Sequence, residues 1–117
     1  MDKKTNDKTA EWKKLNLVAS TLLNPDLGQP SHIEQLTTDL VHLLYELGVI
    51  KNFDWMSWTE PHPALEQVHA LNATMTKRHI IRIVRMERFS WGELDANIDN
   101  KILPSLCIRL YELQKQN

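Results

Sequence analysis

Apolar residues recur three or four positions apart through much of this chain, which is the spacing along one face of an α-helix. The clearest segment opens with Ser31 and Glu34, which have the spacing of a capping box, and closes at Gly48, a residue typical of helix C-termini. One apolar stripe lies between these signals, formed by Ile33, Leu36, Leu40, Leu43, Leu44 and Leu47. No segment shows the sustained alternation expected of a half-exposed β-strand. The pattern therefore predicts an all-α protein whose helices each bury one face.

The same spacing predicts further helices over residues 9–23, 63–71, 76–89 and 101–114, with a short one after residue 90. Pro63 suits the first position of a helix, and Thr76 suits an N-cap. Ser90 and Glu93 repeat the capping-box spacing and predict the start of the short helix. We expect a compact single-domain bundle of about five or six short helices over residues 9–117, after a flexible N-terminus at residues 1–8.

Composition excludes several classes of protein. The chain has 117 residues and a formal net charge of −1, so it has no general attraction to nucleic acid or to an anionic membrane. Its single cysteine, Cys107, excludes an internal disulfide and is expected to pack as a small apolar residue. The histidines show no metal-binding spacing, so we expect neither a metal nor a cofactor. Because no apolar run resembles a signal core or a membrane span, we expect a cytoplasmic protein.

Positive charge is concentrated between residues 77 and 88, where five basic residues accompany one acidic residue. Arg78, Arg82 and Arg85 fall on one face of the predicted helix. Guanidinium groups bind phosphates and carboxylates through paired hydrogen bonds, so this face is a candidate partner-binding site, flanked by Trp91. The alternative is a solvated helix face with local salt bridges, which is the commoner role of such a charge run.

The segment from Arg85 to Gly92 ends this predicted helix. Glu87 lies between Arg85 and Arg88, which should keep its carboxylate ionised. An ionised carboxylate suits a structural ion pair better than a proton donor, so we predict a joint that fixes the helix end. In this interpretation Phe89 packs in the core and Gly92 permits close packing. The alternative is an acid–base group beside an arginine clamp for a substrate.

Trp55 and Trp58 lie three positions apart, on one face of a single turn that Asp54 could cap. Such a pair could form a stacking platform for a base or a ligand ring. We favour packing against the core, because the irregular segment around these tryptophans has little else to hold it. Both are therefore assigned a structural role.

The aromatic and charged residues, in their order along the chain, resemble a bacterial family known as domain of unknown function 6508. Its members share an FDW-x-x-W segment, which residues 53–58 match. They also share an R-x-E-R-F-x-x-G block, matched by residues 85–92, and a closing leucine-rich helix. At the turn, this chain has Ser90 and Trp91 where the family favours small or acidic residues. The resemblance spans residues 40–113 and implies a small, mainly helical bacterial or phage-borne domain, without implying an activity.

These features predict a non-enzymatic module that binds another macromolecule through its arginine-bearing helix face. One version is a phage or mobile-element inhibitor of a bacterial nucleic-acid-targeting defence system, of the anti-CRISPR type, whose partner is a protein or a nucleoprotein complex. A small protein that binds DNA or RNA directly is an alternative. A structural protein that forms a homodimer through its heptad-like last helix is another.

Overall fold

The computed structural model describes residues 8–24 and 30–115, with the side chains of residues 30 and 31 left outside that description. The described part contains five α-helices, one 3₁₀ helix and no strand, so the predicted all-α class is confirmed. The helices are α1 (Thr9–Leu23), α2 (Pro30–Glu46), the 3₁₀ helix (Leu65–Ala70), α3 (Ala73–Met86), α4 (Glu93–Asp99) and α5 (Ile102–Lys115). Of residues 1–8, which are predicted to be a flexible N-terminus, only Lys8 belongs to the described part.

Helix α5 is the centre of the bundle, since it packs against α1, α3, α4 and the 3₁₀ helix, while α2 packs against α1. Leu103, Leu106 and Leu110 on α5 are almost fully buried. The stripe that could have paired with a second copy of the chain is therefore occupied within the fold. Cys107 is fully buried beside these leucines, and this burial raises the pKa of its thiol.

The predicted end of α2 is confirmed at Gly48, which has a φ of 75°. The N–H of Gly48 donates to the carbonyl of Tyr45, and the N–H of Val49 donates to that of Leu44, each at 3.0 Å. These two bonds form a Schellman motif, which satisfies carbonyls that the helix itself leaves unpaired. The start of the helix, at Pro30, is two residues earlier than expected, since Ser31 as the N-cap would place the first helical residue at His32. The predicted capping box requires the side chain of Ser31, which lies outside the described part.

Two predicted helix starts are wrong. Helix α3 is capped by Asn72, whose Oδ1 accepts from the N–H of Met75 at 2.8 Å. Thr76 lies inside the helix, fully buried, and its Oγ1 donates to the carbonyl of Asn72. The segment after Pro63 stays extended through Ala64 and then forms a 3₁₀ helix instead of an α-helix. Both Asn and Thr are good N-caps, so local pattern alone did not separate them.

Candidate interaction surface

Arg82 lies on the buried side of α3, and only 6 % of its surface is exposed. Its Nη1 donates to the backbone carbonyl of Glu60 at 2.6 Å, and its Nη2 donates to Nδ1 of His79 at 3.0 Å. The guanidinium also lies over the ring of Trp58, 4.5 Å from the centroid, in a cation–π contact. The predicted place of Arg82 on a solvent-facing surface is therefore wrong, because the segment that contains Trp58 folds over it.

The hydrogen bond from Arg82 fixes the protonation state of His79. A guanidinium can only donate, so Nδ1 of His79 carries the lone pair and the ring proton lies on Nε2. His79 is 2 % exposed, and its ring packs 4.8 Å from the ring of Trp58. Burial, aided by the charge of Arg82, lowers the pKa of His79 to about 4. His79 is therefore neutral near pH 7, as this hydrogen bond requires.

The segment of residues 53–58 is attached to α3 by a set of ring contacts. The rings of Phe53 and Trp58 pack in a T-shaped arrangement, with 5.5 Å between their centroids. Arg78 places its guanidinium 4.9 Å from the centroid of Phe53. These residues form what we call the cation–aromatic cluster: Phe53, Trp58, Arg78, His79 and Arg82. Two of the three arginines expected to contact a partner thus lie against rings of the protein itself.

The end of α3 is fixed by Glu87, which accepts from backbone N–H groups of the next helix. Its Oε1 accepts from Leu94 N at 2.7 Å, and its Oε2 accepts from Gly92 N at 3.5 Å. Within residues 8–24 and 30–115 no ion pair joins Glu87 to Arg85 or Arg88, so the predicted ion pair is wrong. A carboxylate placed at the first turn of α4 satisfies free N–H groups there and interacts favourably with the helix dipole.

Gly92, and not Ser90, is the N-cap of α4, so the second predicted capping box is also wrong. Gly92 has a φ of 98°, a backbone conformation that residues with a Cβ rarely adopt. A Cβ built at this position would meet no atom within 4 Å. The glycine is therefore explained by its backbone conformation and not by the predicted close packing.

Phe89 was predicted to pack in the core, but 66 % of its surface is exposed. The turn after α3 directs it outward, where its ring lies 5.9 Å from that of half-buried Trp55. Met56 is 64 % exposed, and Trp91, two residues beyond Phe89, is 93 % exposed. A contiguous patch of exposed apolar side chains typically marks a surface that another molecule covers.

Two hollows adjoin the Trp55–Phe89 pair. One, of about 250 Å³, contains two arginines, and we call it the basic hollow; it is lined by Asn52, Phe53, Trp55, Met56, Arg85, Arg88 and Phe89. The other, of about 510 Å³, is the apolar hollow; it is lined by Trp55, Met56, Trp58, Thr59, Glu60, His62, Arg82, Met86 and Phe89. The shared walls make the two hollows neighbours on one surface.

Arg85 is half-buried and Arg88 is exposed. Among the described residues, neither guanidinium has a hydrogen-bond or ion-pair partner; the ion pair found there joins Arg109 to Glu112 at 3.9 Å. The lining of the basic hollow contains no acidic residue. Both cations are therefore available to an anionic group from outside the protein.

Elsewhere, a hollow of about 400 Å³ lies between the 3₁₀ helix and α5, with walls that include Leu65, Val68 and Ile108. Arg109 at its edge already donates through Nε to the carbonyl of Leu71. The described ranges contain no group of three or more His, Cys, Asp or Glu side chains that could hold a metal ion. None of the helices in those ranges is both long and apolar enough to cross a membrane.

The fold brings most of the predicted site residues to two neighbouring regions, while Glu87 and Gly92 fix the junction of α3 and α4. Trp55, Arg85, Arg88 and Phe89 come together around the basic hollow, whereas Trp58 and Arg82 belong to the cation–aromatic cluster. Trp91 is exposed nearby in sequence but lines neither hollow. Sequence reasoning missed Asn52, Met56, Glu60 and His79. Only His79 carried a signal, since it precedes Arg82 by three positions and therefore shares its helix face.

The comparison with known protein families gives a match over nearly the whole chain. Residues 8–116 match the model of a family of unknown function, DUF6508, which covers nearly the whole chain and extends well beyond the segment that showed the resemblance. No curated protein and no solved structure matches the chain. The chain belongs to the family of unknown function DUF6508.

Proposed function

We propose that this protein is a non-enzymatic module that binds another protein through the surface around the basic hollow. The observation that carries the proposal is the coincidence of two unpartnered arginines with large exposed apolar side chains. Arginine, tryptophan, phenylalanine and methionine are the residue types enriched in protein interfaces. We call this region the aromatic–basic surface; it consists of Trp55, Met56, Arg85, Arg88 and Phe89.

The chemistry of this surface favours an acidic partner. Arg85 and Arg88 present two cations in a hollow without a carboxylate, so an aspartate or glutamate of the partner would find charge-assisted hydrogen bonds there. Phe89 and Met56 at the rim would lose contact with water when the partner covers them, which favours association. A phage or mobile-element inhibitor of a nucleic-acid-targeting defence protein is one version of this proposal, in which the inhibited protein supplies the acidic surface.

The experiment compares two charge-reversed baits of equal net charge in affinity capture from cell extract. Arg85→Glu/Arg88→Glu changes the aromatic–basic surface, whereas Lys13→Glu/Lys14→Glu changes exposed positions on α1. A partner retained by the wild type and the α1 variant, but lost by the arginine variant, is then purified and its dissociation constant is measured. The proposal predicts at least a tenfold loss of affinity for the arginine variant alone. Equal binding by both variants would contradict it.

The second candidate function is direct binding of single-stranded nucleic acid. It is favoured by the position of Trp55 and Phe89 beside two arginines, since bases stack on aromatic rings while guanidinium groups contact phosphates. Fluorescence anisotropy with labelled single-stranded DNA and RNA tests this function. It predicts binding at low salt that weakens steeply as salt rises and that is lost in Arg85→Glu/Arg88→Glu. No binding at low salt eliminates it and leaves the protein-partner proposal standing.

A further inference from the structure

The apolar hollow has the properties of a site for a small molecule. Its volume of about 510 Å³ lies within the range of ligand pockets, which are mostly apolar with a few converging polar groups. Trp55, Met56 and Phe89 form walls that a flat apolar group could contact. Arg82 belongs to the same lining and supplies a positive charge. This combination suits a ligand with an apolar body and one anionic group.

Arg82 is a buried cation with hydrogen-bonding capacity left over. Two of its five N–H groups donate within the protein, to Glu60 and His79. Its Nε is buried and has no hydrogen-bond partner among the described residues. No carboxylate of the described residues lies within ion-pair distance of the guanidinium of Arg82, although buried charges are normally paired. A ligand anion would supply the missing counter-charge.

Two carboxylates near Arg82 limit the charge of the ligand anion that the apolar hollow can bind. The electrostatic effect of Glu60 and Glu93 favours the charged form of Arg82 and opposes the lowering of its pKa by burial. Glu60 also lines the hollow and is exposed, so it places one negative charge at the rim. A second negative charge on a ligand would meet that repulsion. A carboxylate, which carries one charge, fits this arrangement better than a phosphate dianion.

We propose that the apolar hollow binds a small apolar carboxylate, with its body between Trp55, Met56 and Phe89 and its carboxylate on Arg82. This site goes beyond the proposed protein-binding function, because it depends on Arg82 and not on Arg85 or Arg88. The ligand class is defined by the chemistry of the hollow: one carboxylate attached to an aromatic ring or a short hydrocarbon chain. A bound ligand would also contact the Trp55–Phe89 pair, which is a wall of the basic hollow as well.

The test uses three probes that share a phenyl ring: 3-phenylpropionate, its uncharged amide 3-phenylpropionamide, and phenyl phosphate. Binding is followed by NMR, through the Nε–H signal of Arg82 and the indole N–H signals of Trp55 and Trp58. We expect 3-phenylpropionate to bind about tenfold more tightly than its amide, because a charged hydrogen bond distinguishes them, and more tightly than phenyl phosphate. Equal affinity for acid and amide, or no shift of these signals up to the solubility of the acid, would overturn the proposal.

Variants place the ligand in the hollow. Because Arg82 is buried, we expect Arg82→Met to destabilise the fold as well as the site. Thr59→Trp is therefore added, since Thr59 is an exposed lining residue whose enlargement fills the hollow. We expect Thr59→Trp to abolish binding of 3-phenylpropionate and Trp91→Ala to leave it unchanged. Unchanged binding by Thr59→Trp would contradict the site.

The two proposals fail separately. Arg85→Gln/Arg88→Gln should weaken binding of the protein partner and leave the affinity for 3-phenylpropionate within a factor of two of the wild type. Loss of probe binding in this variant, with Thr59→Trp still binding, would move the carboxylate to the basic hollow and overturn the assignment to Arg82.

Discussion

Arg82 and Arg85 lie three positions apart on the same helix, yet their surroundings are opposite. Arg82 is 6 % exposed and bonded to Glu60 and His79, whereas Arg85 borders a hollow without any bonded partner in the described part of the chain. The difference comes from Trp58, whose ring covers one guanidinium and not the other. On the same helix, Arg82 therefore attaches the segment that contains Trp58, whereas Arg85 is free to bind a partner.

The largest expected effect is on stability, from the same substitution at both positions. Arg82→Met leaves the carbonyl of Glu60 and Nδ1 of His79 without a donor and removes the contact with Trp58. We expect it to lower the free energy of unfolding by about 3 kcal/mol, against less than about 0.5 kcal/mol for Arg85→Met. Urea unfolding followed by circular dichroism measures both values. Similar losses for the two variants would remove the distinction between the two arginines.

The second effect is a pH dependence of the free energy of unfolding, which arises from His79. Its pKa falls from its ordinary value of 6.5 to about 4 in the folded protein. Between these values the unfolded chain binds more protons than the folded protein. The stabilisation that neutral His79 gives the folded protein is therefore complete above pH 6.5 and declines by about 3 kcal/mol as the pH falls toward 4.

Unfolding measured across this pH range in the wild type and in His79→Gln tests the pH dependence. Burial and Arg82 also lower the pKa of His62, so a smaller dependence of the same sign should remain in the variant. A variant that keeps the whole slope would show that His79 is not its source.

A smaller effect distinguishes the two accounts of Glu87. Removing its charge in Glu87→Gln weakens the cap of α4 and should lower the free energy of unfolding by about 1 kcal/mol. Arg88→Gln should change it by less than about 0.5 kcal/mol, since Arg88 has no partner in the described residues. Chemical unfolding of the two variants checks this. Equal losses in the free energy of unfolding for the two variants would support the ion pair expected from the sequence.

Periodicity predicted the helices well, because one apolar face per helix is a local property of the sequence. The helix starts were less predictable, since Asn72 and Thr76 are both competent caps and burial of Thr76 depends on the whole bundle. The division between Arg82 and Arg85 could not be predicted at all. It depends on Trp58, which lies in an irregular segment and reaches α3 only through the tertiary fold. Phe89 was misplaced for a similar reason, because a turn and not a helical face sets its direction.

The fold immobilises Arg82 and leaves Arg85 and Arg88 free, and the two proposed sites depend most on this difference. The arginine side-chain region of a ¹H–¹⁵N NMR spectrum tests this directly, since hydrogen bonding and burial slow both guanidinium rotation and proton exchange with water. We predict resolved, slowly exchanging N–H signals for Arg82, and averaged, rapidly exchanging signals for Arg85 and Arg88. Rapid exchange and free rotation at Arg82, equal to those at Arg85, would contradict the account.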